Sequence, residues 1–200
     1  MSDSLILFAL LALLLITAIY FITIYNRLQS LKNGAEATLS QIRVAMKKRL
    51  DMIEQLVDSV KSYAKFERDT LEKITSMRTN LVSARPDELA KINGVSRGLV
   101  GDVLAVAEGY PQLKTSEAVT ATMNAIKDVE DEISRYRYTY NNIIQEFNTM
   151  RVTVPSNMVA SFSGMHKMDY LNFEEDELKR RGYLTTEGEL EPGRPEVKWD

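Results

Sequence analysis

One stretch of this chain admits few environments. Leu5 to Tyr25, LILFALLALLLITAIYFITIY, holds no charged residue, and its only non-aromatic polar side chains are Thr17 and Thr23. As an α-helix rising 1.5 Å per residue it would be about 30 Å long, the thickness of a bilayer's hydrocarbon core. Leu, Ile, Phe and Ala fall on every face, so such a helix has no polar side to show water. A soluble protein would have to bury it all round, which needs far more neighbouring chain than this one supplies. The expectation is one transmembrane helix with limits at Leu5 and Tyr25.

The flanks orient it. Met1, Ser2, Asp3 and Ser4 are not the basic leader of a cleaved secretory signal, and Phe21 to Tyr25 is a poor cleavage site, so the run reads as a retained anchor. Asp3 stands on one side, Arg27 and Lys32 on the other. Positive charge favours the cytoplasmic side, which puts the N-terminus outside and the C-terminal domain in the cytoplasm of a single-pass cell-membrane protein. The absence of cysteine agrees with a reducing compartment.

Beyond the anchor, residues 26–173 read as one helical bundle domain and residues 174–200 as an acidic, weakly ordered tail. Pro86 and Pro111 are the only prolines between Asn26 and Val154, and they cut the domain into three long helical pieces. The first runs from Asn26 to about Leu81, its apolar residues (Leu28, Leu31, Ala35, Leu39, Ile42, Met46, Leu50, Ile53, Val57, Val60, Ala64, Leu71, Ile74, Leu81) recurring at steps of three and four, with Glu67 a polar interruption on the stripe. Asn33-Gly34 is its weakest point. The second opens at Pro86, with Asp87 and Glu88 in its first turn, and stops at Gly109-Tyr110-Pro111. Gly94, Gly98 and Gly101 make a small-residue face there, expected to pack closely on a neighbouring helix. The third is the most regular: Val119, Ile126, Ile133, Tyr140 and Phe147 form one column at steps of seven, and Thr122, Val129, Tyr136, Ile143 and Met150 form another. The fold class is therefore all-α: a single N-terminal transmembrane helix continuing into a cytoplasmic antiparallel helical bundle with coiled-coil-like seams. After Pro155, the apolar residues from Met158 to Phe173 either cap this bundle or touch the bilayer, with capping the expectation.

Chemistry is hard to place. One histidine, His166, and no cysteine leave zinc, haem and iron–sulfur centres without ligands, and no Glu-x-x-His pair exists for a di-iron bundle. No phosphate loop, nucleophile elbow or HExxH is present. The expectation is no catalytic residue, no cofactor and no metal. The net charge of −3 also argues against a nucleic-acid binder, which needs a basic face. Glu130-Asp131-Glu132 reads as a solvated acidic face. Arg43, Lys47, Lys48 and Arg49 form a basic patch that is a candidate contact for a partner, such as another membrane protein. Its Lys47-Lys48-Arg49 run begins 22 residues past Tyr25, about 33 Å along an upright helix, where lipid charge is screened.

At this point four segments resemble the LemA family of membrane proteins, in the family's order. They are Tyr25-Asn26-Arg27-Leu28; Lys48 to Ile53 with Leu56-Val57 and Val60 to Ala64; Ala105 to Lys114; and Tyr140-Asn141-Asn142 through Phe147-Asn148 to Pro155-Ser156-Asn157-Met158-Val159-Ala160. Glu54 stands where the family commonly has proline, and the tail beyond Phe173 carries no family pattern. The resemblance implies one N-terminal span with the N-terminus outside and a cytoplasmic helical bundle. It implies no reaction, since the family has no established enzymatic activity. Relatives occur in magnetosome formation and beside membrane proteases.

The functional expectation is a non-enzymatic, membrane-anchored helical scaffold that self-associates and organises or recruits proteins at the membrane. The alternative is a membrane-tethered sensor whose bundle holds a small molecule among Tyr110, Tyr136 and Tyr140. Self-association rests on helix lengths: the third piece should overshoot the second by roughly 20 Å, leaving Ile143, Phe147 and Met150 for a second subunit unless the Met158–Phe173 segment folds back over them.

Overall fold

No proline interrupts Ser2 to Val60, and in the computed structural model this whole stretch is one 59-residue helix, α1 (Ser2–Val60). The structure describes residues 2–60, 68–114 and 116–173. Five further helices follow: α2 (Arg68–Leu81), α3 (Pro86–Gly109), α4 (Pro111–Lys114), α5 (Glu117–Val152) and α6 (Ser156–Phe162). Every regular element among the described residues is helical, as expected. The tail assigned to residues 174–200 lies outside them.

The helix expected to run unbroken to Leu81 is two helices. Arg78 on α2 donates to Asp51 Oδ1 at 2.5 Å and to Glu54 Oε2 at 2.7 Å on α1. In a continuous helix those groups would lie about 40 Å apart. So α2 returns antiparallel alongside the end of α1, laying Ile74, Met77 and Leu81 inward. Leu71, placed on the stripe by its spacing, is 41% exposed. At α3, Pro86 supplies a preset φ and the backbone N–H of Arg85 donates to the Glu88 carboxylate at 2.8 Å, closing the first turn.

The described residues fall into two compact units. One comprises residues 1–45 with 131–170: the first part of α1, the second part of α5, α6 and the segment after it. There α5 runs antiparallel to α1, and Leu28, Leu31, Phe147 and Ala160 form its buried core. The other comprises residues 46–130 with 171–173 and holds the rest of α1, α2, α3, α4 and the start of α5. Its core includes Leu50, Ile53, Leu56, Leu81, Leu89 and Val129. In α5 all five residues of the first heptad column are buried; of the second, Val129 is buried and Thr122, Tyr136, Ile143 and Met150 are half-buried.

The small-residue face of α3 does not pack as expected. Gly94, Gly98 and Gly101 are exposed, and a Cβ built at Gly98 or Gly101 meets nothing within 4 Å. Asn93 and Ser96, polar residues on another face, point inward instead.

Candidate functional site

Helical register explains the most deeply buried polar group. Arg49 follows Met46 by three residues and precedes Ile53 by four, so it shares their inward face, while Lys47 and Lys48 turn to solvent. Its side chain is 0% exposed. Nη1 donates to Glu130 Oε1 at 2.6 Å and to Asn93 Oδ1 at 2.9 Å; Nη2 donates to Ser96 Oγ at 2.5 Å. The Ser96 hydroxyl in turn donates to the Ile92 carbonyl at 2.6 Å. Arg97 Nε stands 3.7 Å from the other carboxylate oxygen of Glu130. Arg49 Nε is buried without a hydrogen-bond partner among the described residues. Burial pushes the Arg49 guanidinium pKa down and Glu130 opposes that shift, but an arginine stays charged under either influence.

The expected basic patch therefore does not exist as four surface cations. Arg49 is an interior clamp joining α1, α3 and α5, Arg43 is half-buried, and only Lys47 and Lys48 face outward. The acidic run is split likewise: Asp131 is exposed, but Glu130 turns inward to hold two guanidiniums. The node joins a fully buried guanidinium to a half-buried carboxylate. Its chemistry is that of a buried ion pair, which penalises any packing of these helices that separates the charges.

The second polar-apolar junction lies where α1 leaves its apolar run. Thr17 and Thr23, the run's two non-aromatic hydroxyl side chains, each donate to the carbonyl four residues earlier at 2.8 Å, so neither needs water. None of the most apolar window of α1 is buried in the protein. Ile24, near the end of the run, packs inward against Leu28, Leu31, Phe147 and Ala160, together with Ile143, Met150, Met165 and Met168. Just beyond, Arg27 donates to Glu146 Oε1 through Nε at 3.1 Å.

These contacts revise the reading of Ile143, Phe147 and Met150 as an uncovered tip. Phe147 is 2% exposed, and all three pack within the chain. The segment after α6 folds back: Asn148 donates to the Met168 carbonyl at 2.8 Å and accepts from the Met168 N–H at 3.0 Å, and the Tyr140 hydroxyl donates to the Asp169 carbonyl at 3.0 Å. Gly164, at φ 62°, allows the Met165 N–H to reach the Ala160 carbonyl at 2.9 Å and end α6. Burial above all pushes the Tyr140 pKa up to about 12, Asp169 adding to the shift and Arg43 opposing it.

Of the three tyrosines suggested for a sensor pocket, Tyr140 is committed to that internal bond, while Tyr110 is 39% exposed and belongs to the other unit. A cleft of about 520 Å³ lies elsewhere, at the α2–α3 hairpin, lined by Thr79, Asn80, Ser83, Glu88, Lys91 and Ile92. Among the described residues no group of three or more His, Cys, Asp or Glu is placed to hold a metal ion.

The LemA family profile matches residues 38–182, a span that contains Arg49, Asn93, Ser96, Glu130 and the whole α5–α6 turn. The chain belongs to the LemA family. Protein LemA of Metamycoplasma hominis is 30% identical over 187 residues, covering 90% of this chain and 83% of that protein. Magnetosome protein MamQ 2 of Paramagnetospirillum magneticum is 22% identical over 174 residues, covering 73% of this chain and 64% of that protein's length. Magnetosome protein MamQ of Magnetospirillum gryphiswaldense is 21% identical over 193 residues, covering 81% and 71%. The family match and the uncovered apolar helix together describe a membrane-associated, all-helical protein. The LemA resemblance seen in four segments is thus a family membership that extends over most of the chain.

Proposed function

We propose that this LemA-family chain is a non-enzymatic scaffold, anchored by residues 5–25 with its N-terminus outside, that holds a helical bundle at the cytoplasmic face and organises proteins there. The observation carrying this reading is Ile24. It belongs both to the apolar run and to the core around Phe147. The anchor thus contributes a side chain to the core of the unit it belongs to, which suits a protein whose task is to present surfaces at a fixed height. Residence in one membrane plane concentrates copies and favours self-association, as it does recruitment of other membrane proteins. Two of the relatives are named magnetosome proteins, and the scaffold reading is in keeping with those names.

Proximity labelling from a ligase fused after Asp200, in the native cell, is expected to mark a recurrent set of membrane proteins from the cytoplasmic side. Mass photometry of the full-length protein in mild detergent is expected to give a multiple of the single-chain mass. External labelling of the C-terminus would falsify the arrangement, and a strictly monomeric protein with only background neighbours would remove the scaffold.

A further inference from the structure

Beyond the apolar run, large apolar side chains left exposed are mostly scattered singly along the described residues: Val44, Leu71, Val82, Val95, Leu104, Tyr110 and Tyr138. One place differs. Val152 at 62%, Val154 at 74%, Met158 at 60% and Phe162 at 94% exposure follow one another within the turn after α5 and along α6. This is not a loose segment. The opposite face of α6 buries Val159 and Ala160, and the Ser156 hydroxyl donates to the Met150 and Thr153 carbonyls at 2.7 and 2.9 Å. The apolar side chains are held outward by a fixed inner face.

Their height along α1 follows from the packing of α5. Ile143 lies over Gly34, Glu146 accepts from Arg27, Phe147 sits among Leu28 and Leu31, and Met150 and Ile24 share the edge of the same cluster. Each step of α5 toward its C-terminus is thus matched by a step of α1 toward its N-terminus. Carried on to Val152, the last residue of α5, the pairing reaches about residue 22, inside the run that ends at Tyr25. Val152 and Val154 therefore lie at the depth of the anchor's last turn, while Ala160 brings α6 back to Leu28 and Leu31.

Charge points the same way. From Phe147 to Met168 the sequence contains Arg151, His166 and Lys167 and no Asp or Glu, in a chain with 28 acidic residues. His166 and Lys167 are exposed. A stretch without carboxylates between Glu146, which is paired with Arg27, and Asp169, basic and apolar together, suits an anionic lipid leaflet.

We propose that the α5–α6 turn and the outer face of α6 form a second, monotopic membrane contact, inserted in the bilayer interface beside the spanning helix. The inference rests on residues 5–25 crossing the membrane. Two contacts on one side of the same helix fix its tilt and rotation, which a lone span leaves free. The partner is the lipid surface, and another protein covering Phe162 is the rival outcome.

The test uses full-length protein carrying Trp199→Phe, which removes the sole tryptophan, reconstituted in nanodiscs of mixed zwitterionic and anionic lipids. Single tryptophans enter as Phe162→Trp, Ile16→Trp and, as a solvent reference, Tyr138→Trp at a side chain 71% exposed. Lipids brominated at shallow or deep acyl positions supply the quencher. The expected result is blue-shifted emission from Phe162→Trp, quenched more by shallow than by deep bromine, with the opposite order for Ile16→Trp and no quenching for Tyr138→Trp. Red-shifted, unquenched emission from Phe162→Trp beside a quenched Ile16→Trp overturns the interfacial contact and leaves the anchor standing. Blue-shifted but unquenched emission also overturns it, in favour of a protein cover. An unquenched Ile16→Trp removes the anchor and the proposal together.

Discussion

Truncating Glu130 should harm this protein more than removing the arginine it serves. Glu130→Ala leaves the Arg49 guanidinium, 0% exposed, without its carboxylate and with Arg97 still on the same side. An uncompensated buried charge of this kind costs about 3–5 kcal/mol, a large share of the roughly 5–15 kcal/mol that holds a typical domain together. Arg49→Met instead removes the charge and fills much of its volume with apolar atoms. What remains is milder: Asn93 Oδ1 and Ser96 Oγ each lose a donor, while Glu130, 25% exposed, keeps Arg97 and gains water. That change should cost about 1–2 kcal/mol. The double variant should be no less stable than Glu130→Ala alone, because the stranded cation is then absent. Urea unfolding of full-length protein in mild non-ionic detergent, followed by helical circular dichroism, gives the three values, with Lys47→Ala and Lys48→Ala as exposed controls within about 0.5 kcal/mol of the parent. Should Arg49→Met cost more than Glu130→Ala, or Glu130→Ala cost less than about 1 kcal/mol, the account of Arg49 as a charge-paired clamp is wrong.

Three further outcomes are expected in the same melts. Phe147→Ala should lose about 3–5 kcal/mol, since its ring fills the core between Leu28, Leu31 and Ala160. Gly98→Ala and Gly101→Ala should each gain about 0.5–1 kcal/mol, because an added methyl meets no neighbour while the helix loses a flexible residue; a loss would show that something seats on that face. Tyr140 keeps its proton up to a pKa of about 12 in the folded chain, whereas an unfolded tyrosine releases it near pH 10. Its contribution is therefore complete below about pH 10 and is lost as pH rises from there toward about 12. Tyr140→Phe should flatten that alkaline loss, at a cost near neutrality of about 0.5–1.5 kcal/mol for the bond to Asp169.

Where the sequence was informative, the signal was periodic and intrinsic to one helix. The seven-residue column from Val119 to Phe147 needs only α5 itself to be read, and all five residues are buried. The apolar run was equally plain, since no other arrangement of those side chains suits water. Long-range facts were the ones missed. No proline or glycine falls between Lys61 and Glu67, and the stripe stays in phase on both sides, so a reversing chain and a continuous one share one pattern. Only the pairing of Arg78 with Asp51 and Glu54 decides between them. Arg49 was legible in principle, from its spacing to Met46 and Ile53, but three adjacent cations read more readily as a solvated run. The glycines of α3 misled because small residues look alike whether a neighbour approaches them or not. For α6 the composition is apolar on both faces, so whether it caps or protrudes could not be read; Val159 and Phe162, three residues apart, do opposite things.

The ion pair between Arg27 and Glu146 closes a separation of 119 residues, and that distance is also an interval of time. At about 5–20 residues per second of synthesis, Glu146 is made roughly 6–24 s after Arg27. Until α5 is made, Leu28 and Leu31 have nothing from it to cover them. The α2–α3 hairpin faces no such wait, because its two strands of chain are nearly adjacent in sequence. A nascent chain of this kind therefore carries a bare apolar stripe next to its most hydrophobic segment until α5 and α6 arrive, so the part of the molecule made first is among the last to be completed.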